Sequence, residues 1–358
     1  VAFPDKLEAV KNNIDMKNKP VSIKDIADEL KISITTVSFV LNGKATEKHI
    51  SKELTQKVLD YAKLINYRPN QIAQSLRTGK SKILVFMVED ISNSFFSKLA
   101  RIFEDISFDK GYKVIFCSNE NNDERSKELI ELFNFRQVDG FIIVPSSGIK
   151  DTIEGLIKDN KPVVLLDRFF EGLDCNSVSI DNQQASYDAT LHLVNNQFKN
   201  IGFVTTDSNQ TQMRDRLSGY YKAIDDKGLK SNVLQIPYSE IFKGKGKEYI
   251  KKFLNDHNDL DAIFFGTNYL AQNGLEVFKE SSRNLLNEFG IVAFDDNDMF
   301  KLCSTSISCV AQPLFEISSK LMELMFLLLK KNEIGENTQK IVLKTELIIR
   351  ESSLRRQP

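Results

Sequence analysis

The spacing of apolar residues changes once along the chain, near Lys82. Between Ser22 and Arg77 apolar positions recur at helical intervals and never alternate as in a strand. Ser22-Ile-Lys-Asp25 has the layout of a capping box, and Ile26, Ala27 and Leu30 then form one apolar face. Lys31-Ile32-Ser33 predicts a short turn. Ser33 can cap a second helix through Thr35, Val37, Phe39 and Leu41, closed by Asn42-Gly43, both of which tolerate a positive φ. Leu54, Val58, Ala62 and Ile65 stripe a third helix that Tyr67-Arg68-Pro69-Asn70 stops. Two short helices joined by a tight turn, with small Ala27 where they cross, predict a helix-turn-helix. A helical hairpin in any core would share that pattern. Residues 70–77 are helix-competent but too polar to fold alone, so they read as a hinge helix that orders against a partner, or as a plain linker.

Beyond Lys82, short β-branched and aromatic runs alternate with helical segments, the pattern of βαβ units in a parallel sheet. The predicted strands are Ile83–Glu89, Lys113–Cys117, Gly140–Val144, Val163–Leu166, Ser177–Ile180, Ile201–Thr205, Val233–Ile236, Ala262–Phe265, Ile291–Phe294, Ser306–Val310 and Lys340–Ile349. These exceed one comfortable sheet and predict two doubly wound lobes. Chain crossings are expected near Asp174–Ser177, Val310–Pro313 and Asn332–Asn337. The implied organisation is an extension (1–20), a headpiece (21–68), a hinge (69–80), a two-lobed body (81–350) and a tail (351–358). Within the body, one lobe takes 81–176 and 311–336, and the other takes 177–310 and 337–350.

Composition narrows the class. The chain has 358 residues, 41% hydrophobic and 27% charged, which suits two or three globular units. No apolar run approaches the roughly 18 residues of a membrane span; the most apolar stretch, Leu321–Leu329, contains Glu323 and reads as a buried amphipathic helix. Four cysteines without CxxC pairing and three histidines predict a reduced, metal-free protein, and the N-terminus has no signal-peptide layout, so a cytoplasmic location is expected. The net charge of −1 hides an asymmetry. Residues 16–80 carry twelve Lys/Arg against six Asp/Glu, so the remainder is acidic. A basic head on an acidic body is the electrostatic footprint of a DNA-binding module.

In a doubly wound sheet, ligands sit beyond the carboxyl ends of the strands. Those ends carry Asp90, Asn93, Ser146, Asp167, Arg168, Asp181, Asn182, Asn268 and Asp295, with Phe95 and Phe96 beside the first. Carboxylates and Arg that chelate hydroxyls, beside an aromatic wall, suit a sugar or a nucleoside. Helix capping would explain many of the same residues. There is no glycine-rich GxGxxG after the first strand, no P-loop, no Gly-x-Ser-x-Gly elbow and no clustered metal ligands. Asp295 and Asp296 are adjacent, so their side chains diverge. A sensor without cofactor is therefore expected rather than an enzyme; a secreted solute-binding protein of the same body fold is a further alternative, against which the helix-turn-helix counts.

Val21-Ser-Ile-Lys-Asp-Ile-Ala, Thr36-Val37-Ser38, Val40-Leu41-Asn42-Gly43 and Tyr67-Arg68-Pro69-Asn70 followed by Ala73 and Leu76 resemble the LacI/GalR family of repressors. Asp90-Ile-Ser-Asn-Ser-Phe95-Phe96, Asp167-Arg168, Arg216-Leu-Ser-Gly219-Tyr220, Ala293-Phe-Asp295-Asp296 and Gln312-Pro313 extend the likeness through the body. The resemblance implies an all-α headpiece joined to a type I periplasmic-binding-protein-like α/β sensor. It implies that the second helix enters the major groove with Ile34, Thr35 and Phe39 reading bases and Thr36 and Ser38 nearer the backbone. Ser22, Asn42, Tyr67, Asn70 and Ala73 join the DNA-facing set, and Leu76 wedges into the minor groove. Phe95, Phe96, Arg168, Arg216, Asn268 and Asp295 would line an effector cleft; Arg214 is close enough to Arg216 that either could face inward. Phe39 stands where many members carry Arg or His, and Lys31-Ile32 replaces a turn that usually contains Gly, so base preference does not transfer. The implied partners are a double-stranded operator, a sugar or purine effector and a second copy of the chain. Since no heptad tail follows Arg355, a homodimer is expected rather than a tetramer.

Overall fold

The computed structural model describes residues 21–68, 75, 78–281, 285–330 and 338–355, and the chain divides into one unit up to Ser81 and a second from Lys82. In the first unit, Ser22 opens α1 (Ile23–Leu30) with a complete capping box. Its backbone N–H donates to Asp25 Oδ2 at 2.7 Å, and Asp25 N–H donates back to Ser22 Oγ at 3.3 Å. Ser33 opens α2 (Ile34–Leu41) by accepting from Thr36 N–H at 2.9 Å, and Ser51 opens α3 (Lys52–Leu64) the same way through Leu54. Ile26, Ala27, Val37, Val40, Val58, Ala62 and Ile65 are buried together, so the three stripes read from the pattern close one small core.

The turn between α1 and α2 runs through Lys31, whose φ of 54° is left-handed, while its N–H donates to the Ala27 and Asp28 carbonyls. This is the position where glycine is cheapest, because a Cβ crowds the following carbonyl there. Lys31→Gly should stabilise the headpiece by about 1 kcal/mol, read as a raised denaturant midpoint of the full-length chain; an unchanged or lowered midpoint would count against a strained turn. At the far end of α2 only Gly43, at φ 70°, uses the left-handed region; Asn42 stays at φ −93° and instead donates Nδ2 to the Ser38 carbonyl at 2.7 Å. Of the hinge segment, the turn that Gly79 (φ 67°) closes on the Ser75 carbonyl is described.

The second unit is two six-stranded sheets of the same plan. The first has the order β2-β1-β3-β4-β5-β11, formed by β1 (Ile83–Val88), β2 (Lys113–Ser118), β3 (Gly140–Ile143), β4 (Val163–Leu166), β5 (Asn176–Ile180) and β11 (Lys340–Leu343). The second is β7-β6-β8-β9-β10-β12, from β6 (Ile201–Asp207), β7 (Asn232–Pro237), β8 (Ala262–Phe265), β9 (Gly290–Phe294), β10 (Ser308–Ala311) and β12 (Glu346–Ile348). All described pairings are parallel except β10 with β12. Helices α4 (Ser94–Asp109), α5 (Asp123–Phe135), α6 (Lys150–Lys158) and α7 (Asn182–Asn195) follow strands β1, β2, β3 and β5. The second lobe adds α8 (Thr211–Asp226), α9 (Tyr238–Phe242), α10 (Gly246–Asp256), α11 (Asn268–Glu280), α12 (Leu285–Glu288) and α13 (Asp298–Leu302). Helix α14 (Leu314–Lys330) returns to the first sheet, burying Leu321, Met322, Leu324 and Met325.

The lobe boundaries differ from those expected. The first crossing lies past Ile180, because β5 pairs with β4 and buries Val178 and Ile180 in the first lobe's core. The last crossing lies between β11 and β12, at residues 344–345, rather than at 332–337. The single strand expected over Lys340–Ile349 is therefore two, one per sheet: Val342 pairs with Ser179 while Leu347 pairs with Val310. A run of alternating apolar residues carries no sign of which sheet receives it. Only the crossing at Val310–Pro313 stands as read.

Two residues seat α8, the helix that reaches the cleft. Tyr220 is fully buried, donates Oη to the Ile201 carbonyl at 2.8 Å and stacks on Phe203 with ring centroids 5.1 Å apart. A Cβ on Gly219 would lie 2.1 Å from the Gln183 carbonyl, so only glycine permits the close crossing of α8 on α7.

Candidate functional site

On α2, Val37 and Val40 point into the headpiece core, which turns Ile34, Thr35, Ser38 and Phe39 the other way. Ile34 is 46% exposed, so its side chain is available to a partner surface. Phe39 is half-buried, with Lys48 Nζ 5.6 Å from its ring centroid. Thr36 turns its hydroxyl back to Ser33 Oγ at 2.8 Å, Ser22 is tied to Asp25, and Tyr67 is half-buried against the headpiece core. Ile34, Thr35, Ser38, Phe39 and Asn42 thus share one helix face, and Ser22, Thr36 and Tyr67 make local contacts at its edges. Asn70, Ala73 and Leu76 lie outside the described residues.

The body's candidate site is the cleft between the lobes. Both sheets reverse strand order at corresponding points, β1/β3 and β6/β8, where a doubly wound sheet opens a crevice beyond its strand ends. Five of the six expected cleft residues, Phe95, Phe96, Arg168, Arg216 and Asp295, line one small space there of about 40 Å³. That is close to a single water's share of liquid volume, so a sugar ring enters only if the lobes part. Asn268, the sixth, sits in an adjoining chamber instead. Arg216 faces inward and is 3% exposed, whereas Arg214 is exposed and pairs with Glu171 at 2.6 Å.

Arg216 is rigidly held: Nε donates to Asn182 Oδ1 and Nη1 to the Gly266 carbonyl, both at 2.8 Å, and the guanidinium lies 3.6 Å over the Phe294 ring. Phe95 and Phe96 meet edge-on with centroids 5.0 Å apart. Asp295 and Asp167 occupy matching places, just past β9 and β4, both with left-handed backbones at φ 69° and 68°. Each ties back to its sheet, Asp295 N–H to the Val310 carbonyl and Asp167 N–H to the Val178 carbonyl. Burial raises the Asp295 carboxyl above its usual range, against the lowering pull of Arg216 and of Gln312, whose Nε2 donates to Oδ1 at 2.6 Å. Asp296 does diverge, forming a two-pronged pair with Arg350 at 2.9 and 3.0 Å.

Arg168 is engaged within the protein. It is 4% exposed and bonded to Glu89, Asn121 and Asp167. Burial acts to lower its pKa, but Glu89 and Asp167 outweigh burial and the net direction is up. Glu89 also accepts from Tyr238 Oη of the opposite lobe at 2.5 Å, and burial followed by the Glu89 charge pushes the Tyr238 phenol well above its ordinary value. Asn268–Asn93, Asn297–Ser94 and Gln210–Asn121 hydrogen bonds also cross between lobes.

Glu89, Gln212, Tyr238 and Tyr269 were missed by sequence reasoning. Glu89 had left a signal, the first of two adjacent carboxylates ending an apolar strand beside the switch point. Tyr238 and Tyr269 left none, since what they face depends on how the lobes meet. Helix capping does account for Asn93 and Asp181, which cap α4 and α7.

Among the described residues no helix is long and apolar enough to cross a membrane. Residues 22–70 match the family of bacterial regulatory proteins of the lacI type, and residues 80–298 match periplasmic binding proteins and the sugar binding domain of the LacI family. The chain is 33% identical to the HTH-type transcriptional regulator RegA of Clostridium saccharobutylicum, over 93% of this chain and 99% of that one. It is 29% identical to catabolite control protein A of Priestia megaterium, over 88% and 95% respectively. The ribose operon repressor of Halalkalibacterium halodurans is 26% identical over 93% of this chain and 97% of its own. The crystal structure of the lac repressor dimer bound to operator and the anti-inducer ONPF superposes with a TM-score of 0.80 at 20% identity, covering 94% of this chain and all of that one, which shows the common fold. These relatives are regulators rather than enzymes by name. With its helix-turn-helix headpiece and two-lobed effector-binding body, the chain belongs to the LacI family of transcriptional regulators.

Proposed function

We propose that this regulator is a cytoplasmic repressor that binds a near-palindromic operator as a homodimer and responds to a sugar held between the lobes. The observation that carries the effector half is the joining of Phe95, Phe96, Arg168, Arg216 and Asp295 around one interlobe cavity. An aromatic pair for the ring's apolar face, with a buried carboxylate and guanidinium for its hydroxyls, is the chemistry of sugar recognition. The exposed face of α2 supports the DNA half, with Ile34, Thr35 and Phe39 as base readers and Ser22, Thr36, Ser38, Asn42, Tyr67, Asn70 and Ala73 positioning or contacting backbone. Leu76 is the minor-groove wedge of the hinge. Effector binding changes operator affinity, and by linkage DNA changes effector affinity by the same factor.

Selection from random duplex DNA tests the operator reading. The expected product is two inverted half-sites about one helical turn apart; a single asymmetric half-site would remove the dimer. On the selected operator, Leu76→Ala should weaken specific binding far more than binding to random DNA, and equal losses on both would sink the wedge. Thermal unfolding against sugars, sugar phosphates and purines tests the effector reading, since ligand at 100 times its Kd adds about 2.7 kcal/mol. A purine hit with no sugar hit would replace the sugar.

A further inference from the structure

Beside the small central cavity lies a second, larger space between the lobes. It is a half-open space of about 420 Å³, within the range of small-molecule sites. Glu89, Asn93 and Tyr269 line both spaces, so one opens beside the other along the same cleft. Its remaining walls come from both lobes: Asp90, Ser92 and Ser94 on one side, and Tyr238, Ile241, Asn268, Gln272, Asn273 and Asn297 on the other. A molecule seated there touches both lobes at once.

Three features define what this chamber accepts. Amides and hydroxyls dominate its lining, which suits a ligand that both donates and accepts hydrogen bonds. Its charged lining groups are the carboxylates of Glu89, which Arg168 neutralises, and Asp90, with no Lys or Arg among the described lining residues, so a phosphate or carboxylate on the ligand meets Asp90 as like charge and no lining cation. Asn268 is 4% exposed, and while its Nδ2 donates to Asn93 Oδ1 at 2.8 Å, its Oδ1 is buried without a partner. A buried acceptor left unmade is costly, and a ligand hydroxyl would satisfy it. The central cavity repeats the theme, because Gln212 Oε1 is likewise buried and unpartnered.

We infer that the outer chamber is a second glycosyl subsite, so that the effector is an uncharged disaccharide or glycoside with one ring in the central cavity and the next against Asn268. The inference rests on the sugar reading above and specifies it further. A monosaccharide occupies only one of the two spaces, and a sugar phosphate in the outer one meets Asp90 with no lining cation to offset it.

The test is calorimetric titration of the full-length protein with neutral disaccharides, their constituent monosaccharides, their phosphorylated forms and purines. The best neutral disaccharide should bind about tenfold or more tightly than its own monosaccharides, the worth of one or two added hydrogen bonds. Gln272 lies on the exposed side of α11, so Gln272→Trp narrows the chamber without entering the core and should bring disaccharide and monosaccharide to the same affinity. Asp90→Asn should narrow the gap between the neutral and phosphorylated disaccharide at low salt. A monosaccharide or sugar phosphate binding as tightly as every neutral disaccharide overturns the outer subsite and leaves the sugar reading standing. Binding of a purine alone, or of no sugar of either size, overturns both.

Discussion

Arg168→Leu should cost about 3–5 kcal/mol of stability, the penalty for removing one partner of a buried ion pair. The size follows from what remains. Glu89 and Asp167 are 7% and 8% exposed, and both would be left as buried carboxylates without the guanidinium that neutralises them. The comparison that isolates this cause is Glu89→Leu/Arg168→Leu, which removes charge of both signs and should cost well below the sum of its single variants. Urea midpoints of the full-length chain measure all three. A loss below about 1 kcal/mol for Arg168→Leu would place the pair with solvated surface pairs, which are worth little. Because Glu89 also holds Tyr238 across the cleft, Arg168→Leu should in addition raise hydrogen exchange in α9.

Asp295→Asn should raise the melting temperature while weakening effector binding. Burial is the largest influence on this carboxyl and lifts its folded pKa above the unfolded value. The sign follows directly. The folded state binds more protons, so ionisation costs nothing below the unfolded pKa of about 3.9. The cost grows as pH rises above the unfolded pKa and is complete once the pH exceeds the folded one. Asn carries no charge to desolvate, tolerates the φ of 69° and can still accept from Gln312. The gain in melting temperature should therefore be clear at pH 7 and vanish towards pH 4. Hydrogen bonds to charged groups contribute about 1.5–3 kcal/mol, so effector affinity should fall roughly 10- to 150-fold with operator binding at its effector-free value. Wild-type affinity together with an unchanged melting temperature would remove Asp295 from the site. Stability held back at a residue that serves binding is the expected trade at a functional site.

Much of the molecule was legible because its signals are local. The capping box of Ser22 and Asp25, the Ser33 cap and the stripe Val58-Ala62-Ile65 depend on contacts within a few residues, so the headpiece could be read helix by helix. Asp295 was legible for a related reason: a strand end in a doubly wound sheet faces the crevice whatever the loops do. Arg216, inside α8, was legible only through the family motif Arg216-Leu-Ser-Gly219-Tyr220. The turn at Lys31 was legible as a departure but not as a conformation, since nothing in Lys-Ile-Ser demands a positive φ.

By itself the sequence determined the two classes of unit, the order of the strands along the chain, the three-helix core and five of the residues that meet in the central cavity. All but Arg216, which a family motif supplied, follow from hydrophobic period, capping chemistry and the alternation of strand and helix, which act over short separations. The tertiary structure alone decided which sheet receives β5, β11 and β12, because edge strands of similar texture are sorted by the packing of whole sheets. It also decided that Arg168 is spent on Glu89, that Tyr238 of one lobe reaches Glu89 of the other, and that Asn268 faces a chamber of its own. Glu89 and Tyr238 are 149 positions apart, and their contact depends on how two independently wound lobes close on each other, a fact with no local trace in the chain.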